Sequence, residues 1–98
     1  MKKYNVKWTQ TAEGNIDTII DYFKTHGSNK QIESFIRELK SFEKIIAYFP
    51  QLYPYSNKLK GLRKAVLTKQ YSIIYKVGET TVTVVTIWDN RSQNWICI

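Results

Sequence analysis

The chain has 98 residues, with fifteen Lys+Arg against eight Asp+Glu and a formal charge of +7. That length allows one domain around one core, and 43% hydrophobic with 14% aromatic residues supply its material, which excludes a disordered chain. The single cysteine, Cys97, excludes a disulfide scaffold. No signal-peptide core is visible, and no apolar run approaches the ~20 residues needed to span a bilayer, so the expected location is a reducing cytoplasm with no membrane partner.

Tyr4-Asn5-Val6-Lys7-Trp8 alternates apolar and polar residues and reads as a half-buried strand. Thr9 or Thr11 then caps a helix whose apolar stripe is Ala12, Ile16, Ile19, Ile20 and Phe23. His26-Gly27-Ser28 ends it, with Gly27 at the C′ position and Ser28 or Asn29 capping the next helix. There Ile32, Phe35, Ile36, Leu39, Phe42, Ile46 and Phe49 keep a three-and-four spacing until Pro50 stops it. The short link predicts an antiparallel helical hairpin. Residues 51–61 read as a loop. From Leu62 the period becomes two, and 62–68, 71–77 and 80–89 read as strands whose short links predict an antiparallel meander. The sum is a single α+β domain over residues 1–98, order β-α-α-β-β-β, with a helical hairpin packed on an antiparallel sheet.

The charge is uneven. Residues 1–49 hold eight Lys+Arg and six acids, whereas 50–98 hold seven Lys+Arg and only Glu79 and Asp89. A basic second half suits a polyanion, either nucleic acid or an acidic peptide, although a solvated face that keeps a small protein soluble looks the same. His26 is the only histidine and Cys97 the only cysteine, so no metal or other cofactor is expected. His26 reads as a helix-end group rather than a catalyst. What remains is a chemistry of cations and aromatics. Lys58, Lys60, Arg63, Lys64 and Arg91 could surround a phosphate, and a Lys of lowered pKa or a Tyr could shuttle protons. Trp8, Tyr71, Tyr75 and Trp88 occupy strand positions and suit packing. Tyr53, Tyr55 and Trp95 fall in loop or tail, freer to stack on a partner.

The element order, together with Val6-Lys7-Trp8-Thr9-Gln10-Thr11-Ala12-Glu13, Phe49-Pro50, Gly61-Leu62-Arg63-Lys64, Tyr71-Ser72-Ile73-Ile74-Tyr75-Lys76-Val77 and Val85-Thr86-Ile87-Trp88-Asp89-Asn90-Arg91, resembles the RelE/ParE superfamily of toxins from bacterial type II toxin–antitoxin pairs. The resemblance spans almost the whole chain. It implies a growth inhibitor neutralised by an antitoxin with an acidic, amphipathic C-terminal segment, as a hetero-oligomer or alongside a homodimer. RelE-like members cut mRNA in the ribosomal A site with basic residues on the central strands and a tyrosine near the C-terminus. ParE-like members instead poison DNA gyrase. Carried over by position, Arg63 and Arg91 are the catalytic candidates. Ala65 stands in place of a second lysine, Ser72 in place of an arginine, and Cys97 in place of the terminal tyrosine. Lys58, Lys60, Lys64, Tyr55 and Trp95 are the candidates for nucleic-acid or target binding. The pattern implies a ParE-like inhibitor that acts by binding, with a ribosome-dependent mRNA interferase or an inactive binding module as the alternatives.

Overall fold

Thr9 sets the first boundary. In the computed structural model, which describes residues 2–91, strand β1 (Asn5–Trp8) stops one residue before it. The Thr9 hydroxyl accepts from the Ala12 N–H at 3.0 Å to cap helix α1 (Gln10–His26), and donates to the Val85 carbonyl at 2.7 Å. One side chain thus starts the helix and ties its first turn to a distant strand. Ser28 caps α2 (Asn29–Tyr48) through the Gln31 N–H at 3.3 Å. Gly27 ends α1 where its position predicts, but its φ of −130° is not left-handed. Its reason is close packing, since a Cβ there would meet the Phe23 carbonyl oxygen and ring at 3.1 Å.

Three further strands follow: β2 (Arg63–Val66), β3 (Tyr71–Val77) and β4 (Thr81–Asp89). They form the expected antiparallel meander, with Ala65 opposite Ile73 and Ile73 opposite Ile87. The first strand departs from the antiparallel expectation. It lies beside β4 and runs parallel to it, Val6 opposite Val82 and Trp8 opposite Val84, so the sheet is mixed, in the order β1-β4-β3-β2. Short links force antiparallel neighbours, whereas β1 reaches β4 only after the helical hairpin has carried the chain back. Its alternation is satisfied all the same, because Val6 and Trp8 pack against the core.

The core lies between hairpin and sheet. Phe23 of α1 and Phe35 and Phe42 of α2 meet Tyr71 and Tyr75 of β3 through edge-on or tilted ring contacts at 5.7–6.3 Å. The other face of β3 is buried too: Ser72 and Ile74 are fully covered. A bulge interrupts the β3–β4 register, with Ile74 opposite Thr86 but Tyr75 opposite Val84, so Val85 is the extra residue. Thr9 takes the Val85 carbonyl, and Asn15 of α1 binds the two residues after it. Its Oδ1 accepts from the Ile87 N–H at 3.0 Å and the Thr86 hydroxyl at 2.8 Å.

The loop before β2 closes with a turn in which the Leu62 N–H donates to the Leu59 carbonyl and Gly61, third of the four residues, takes φ +81°. Gly61→Ala should cost about 1–2 kcal/mol, because a Cβ disfavours the left-handed region, although open space surrounds it. Urea unfolding would measure it; an unchanged midpoint would show that the turn relaxes freely.

Candidate functional site

Strand β2 begins at Arg63, and that side chain organises the loop before it. Arg63 Nη1 donates to the Tyr53 carbonyl at 2.7 Å, and the guanidinium lies 4.0 Å from the centroid of the Tyr55 ring. Backbone bonds from Lys64 N–H to the Pro54 carbonyl and from Ser56 N–H to the Leu62 carbonyl draw the loop along β2 as a short extra edge. The Ser56 hydroxyl accepts from the N–H groups of Lys58 and Leu59 and shapes the tip. The result is an exposed surface in which Tyr55, 61% exposed, backs onto Arg63, with Lys58 and Lys60 on the same loop. Lys64 alternates to the other face of the sheet, its ammonium 5.8 Å from the Trp88 ring. Tyr53 does not join this surface. Its ring packs on Phe42 and Tyr75 at 6.1 and 6.4 Å, so it serves the core rather than a partner.

Arg91 lies elsewhere. Its Nε and Nη2 fork onto the two oxygens of Asp89 at 3.0 and 2.9 Å, beside a cavity of about 260 Å³ lined by Asn15, Thr18, Tyr22 and Tyr71. The hydrogen bond from Arg91 holds the Asp89 carboxyl below its ordinary range, against the opposing effect of partial burial. A lowered carboxylate pKa stabilises the fold above the unfolded-state value, and that contribution fades as pH falls through the folded value. The pair is exposed and screened, so the effect is small. Asp89→Asn should therefore lower the melting temperature slightly at pH 7, and the difference should fade as the pH falls below the ordinary carboxylate range. A difference that persisted in acid would show that Asp89 acts through shape and not charge.

The two arginines are not brought together. Arg63 stands opposite Tyr75 and Asp89 opposite Tyr71, four residues apart on β3, about 13 Å along the strand. Each guanidinium is already engaged, one by loop carbonyls and an aromatic face, the other by a carboxylate. The tyrosines nearest them move away from neutral proton transfer: burial raises Tyr71 and pushes Tyr75 up to about 12. Ser72, at the position where RelE-like chains carry an arginine, is fully buried and donates to Asn90 Oδ1 at 2.7 Å. That bond fastens the end of β4 to the turn before β3, because Asn90 N–H in turn donates to the Gln70 carbonyl at 2.6 Å. Trp95 and Cys97 lie outside the described residues. His26 closes α1, stacked on Tyr22 at 4.8 Å.

Sequence reasoning passed over Asn15. Its only signal was a polar residue four positions before the buried Ile19, on the flank of the apolar stripe. It also passed over the groove between residues 3–6 and the end of α2, whose lining includes Tyr4, Tyr48 and Phe49.

A family model described as the ParE toxin of the type II toxin–antitoxin system, parDE, matches residues 6–95. The chain belongs to the ParE toxin family. It is thereby the toxin component of a type II toxin–antitoxin pair. No curated protein matches it by sequence. Among solved structures, the chromosomal ParDE toxin–antitoxin system from P. aeruginosa superposes with a TM-score of 0.73 at 19% identity, covering 89% of this chain and 96% of that one. The archaeal RelE–RelB complex from Pyrococcus horikoshii gives 0.62 at 19% identity, covering 92% and 99%. The E. coli DinJ–YafQ complex gives 0.63 at 12% identity, covering 94% and 98%. These likenesses carry the fold, a helical hairpin on an open sheet, which this ParE-family chain shares. Among the described residues no helix is long and apolar enough to cross a membrane.

Proposed function

We propose that this toxin arrests growth by binding its target, with DNA gyrase as that target, and that it does not cut mRNA. One observation carries the reading: Arg63 and Asp89, the carboxylate that holds Arg91, pair with positions about 13 Å apart along β3, and each arginine is engaged by groups of the chain itself. Cleavage of a phosphodiester needs cations converging on one phosphorane and a group that moves a proton. A binding inhibitor needs only a shaped, charged surface, which the loop bearing Tyr55, Lys58 and Lys60 supplies beside Arg63. The partner is a cognate antitoxin whose acidic segment complements the excess of cations.

Expression of the chain alone, and again together with the gene beside it, tests this reading. Growth should stop without the partner and resume with it, and the purified toxin should inhibit gyrase supercoiling. Normal growth in a host bearing the native target would overturn the toxin reading. Arrest with unimpaired supercoiling would overturn the gyrase assignment.

A further inference from the structure

We infer that Tyr55, backed by the Arg63 guanidinium, stacks on an unpaired base of a DNA strand, with Lys58 and Lys60 on the flanking phosphates. This deepens the function proposed above and rests on it for the source of the strand, which is the DNA that gyrase holds.

Tyr55 carries the most open aromatic ring among the described residues, yet its loop is tied down from several sides. The Arg63 guanidinium lies 4.0 Å from the ring centroid and is itself fixed by the Tyr53 carbonyl at 2.7 Å. Tyr55 pairs with Arg63 as an antiparallel bridge. On either side of that bridge the Ser56 N–H donates to the Leu62 carbonyl at 2.7 Å and the Lys64 N–H to the Pro54 carbonyl at 3.0 Å. The Ser56 hydroxyl and the turn at Gly61 then close the tip that bears Lys58 and Lys60. The ring is thus set in place before anything binds, and little conformational freedom remains to be lost on binding. Core packing does not account for the arrangement. Tyr53, two residues earlier, sends its ring onto Phe42 and Tyr75, whereas Tyr55 turns out to solvent.

Charge and shape select the occupant. No Asp or Glu occurs between Glu43 and Glu79, so the loop and the strand after it offer cations alone. A polyanion fits such a stretch, and on charge alone an acidic peptide would serve as well as a nucleic acid. The ring decides between them. A guanidinium behind a ring draws π density towards itself, so the open face suits an electron-rich planar group better than a second cation. A nucleobase is such a group, and phosphates flank it along its own strand. A carboxylate side chain has no plane of that size. In a duplex the base faces are covered by their neighbours, so the ring can take a base only from an unpaired strand. Lys64 takes no part, because it lies on the other face of the sheet beside Trp88.

The test is fluorescence anisotropy of the full chain with a short labelled oligothymidylate, beside a strand of equal length and charge built from abasic sites. The base-bearing strand should bind about tenfold more tightly, as expected for one stacked base. Tyr55→Ala should erase that preference and Tyr55→Phe should keep it. Lys58→Gln with Lys60→Gln should weaken binding of both strands and lower the slope of log affinity against log salt by about 1.4. Lys69→Gln, which removes a cation outside the loop, should leave the preference and the slope in place. Circular dichroism checks each fold. Equal binding of the two strands by the wild type, or a preference that survives Tyr55→Ala, would overturn the stack. Tighter binding of the matching duplex or of oligouridylate would overturn the choice of an unpaired DNA strand. The assay contains no gyrase, so its failure is distinct from failure of the function proposed above. Gyrase inhibition without a base preference would remove this inference and leave that reading standing. A base preference without gyrase inhibition would keep the stack and remove gyrase as the source of the strand.

Discussion

Tyr75→Ala should destabilise the protein by about 3–5 kcal/mol, the range for deleting a large buried ring. Tyr75 is fully buried on β3, touches the rings of Phe42 and Tyr53, and donates its hydroxyl to the Pro50 carbonyl at 2.8 Å. It therefore joins the sheet, the end of α2 and the loop that carries Tyr55, Lys58 and Lys60. A loss of that size is a large share of the ~5–15 kcal/mol that holds a typical domain folded. Tyr75→Phe keeps the ring and removes the donor to a buried carbonyl, a loss of about 1–3 kcal/mol. The pair of variants separates packing from hydrogen bonding. A pH series adds a third reading. Burial pushes the Tyr75 phenol up to about 12 from an ordinary 10.0, so the folded state prefers the neutral form. That preference is fully present below pH 10 and is lost as pH rises towards 12. The advantage of the wild type over Tyr75→Phe, followed by urea unfolding, should shrink across that window. A constant difference would mean that the hydroxyl is not held neutral by burial.

The second large effect is functional. Lys58→Glu with Lys60→Glu reverses two charges on the loop and should abolish growth inhibition. The melting temperature should hardly move, because exposed substitutions away from caps and cores usually stay within ±0.5 kcal/mol. The proposed inhibition of gyrase should also weaken as salt is raised, as expected where exposed charges steer the encounter. Arg63 behaves differently. Arg63→Lys keeps the charge but loses the planar group that spans the Tyr53 carbonyl and the Tyr55 face. It should impair inhibition nearly as much as Arg63→Ala. Full activity in Arg63→Lys would indicate that charge alone matters at that position.

Boundaries set by local chemistry were legible in the sequence. Thr9 and Ser28 cap the helices, Pro50 follows the last residue of the α2 cap, and β3 runs over Tyr71–Val77 as its alternation predicted. What escaped was set at long range. The parallel pairing of β1 with β4 joins segments separated by two helices and two strands, and no local rule selects it. At the bulge, Val85 is bonded by Thr9, 76 residues away, and Thr86 by Asn15, 71 residues away. Tyr53 looked like a loop aromatic free for a partner, and tertiary packing against Phe42 and Tyr75 claimed it. At the site, the residue types were legible and their engagement was not. Arg63 and Arg91 are candidates by position alone, and the carbonyl and ring that hold one and the carboxylate that holds the other emerge only when the chain is folded.

Mapping the 5′ ends of mRNA on stalled ribosomes, with and without the purified toxin, tests the central claim most directly. Action by binding predicts no new ends in the ribosomal A site at concentrations that arrest growth. New A-site ends made by the wild type, and lost in Arg63→Ala and Arg91→Ala, would contradict it.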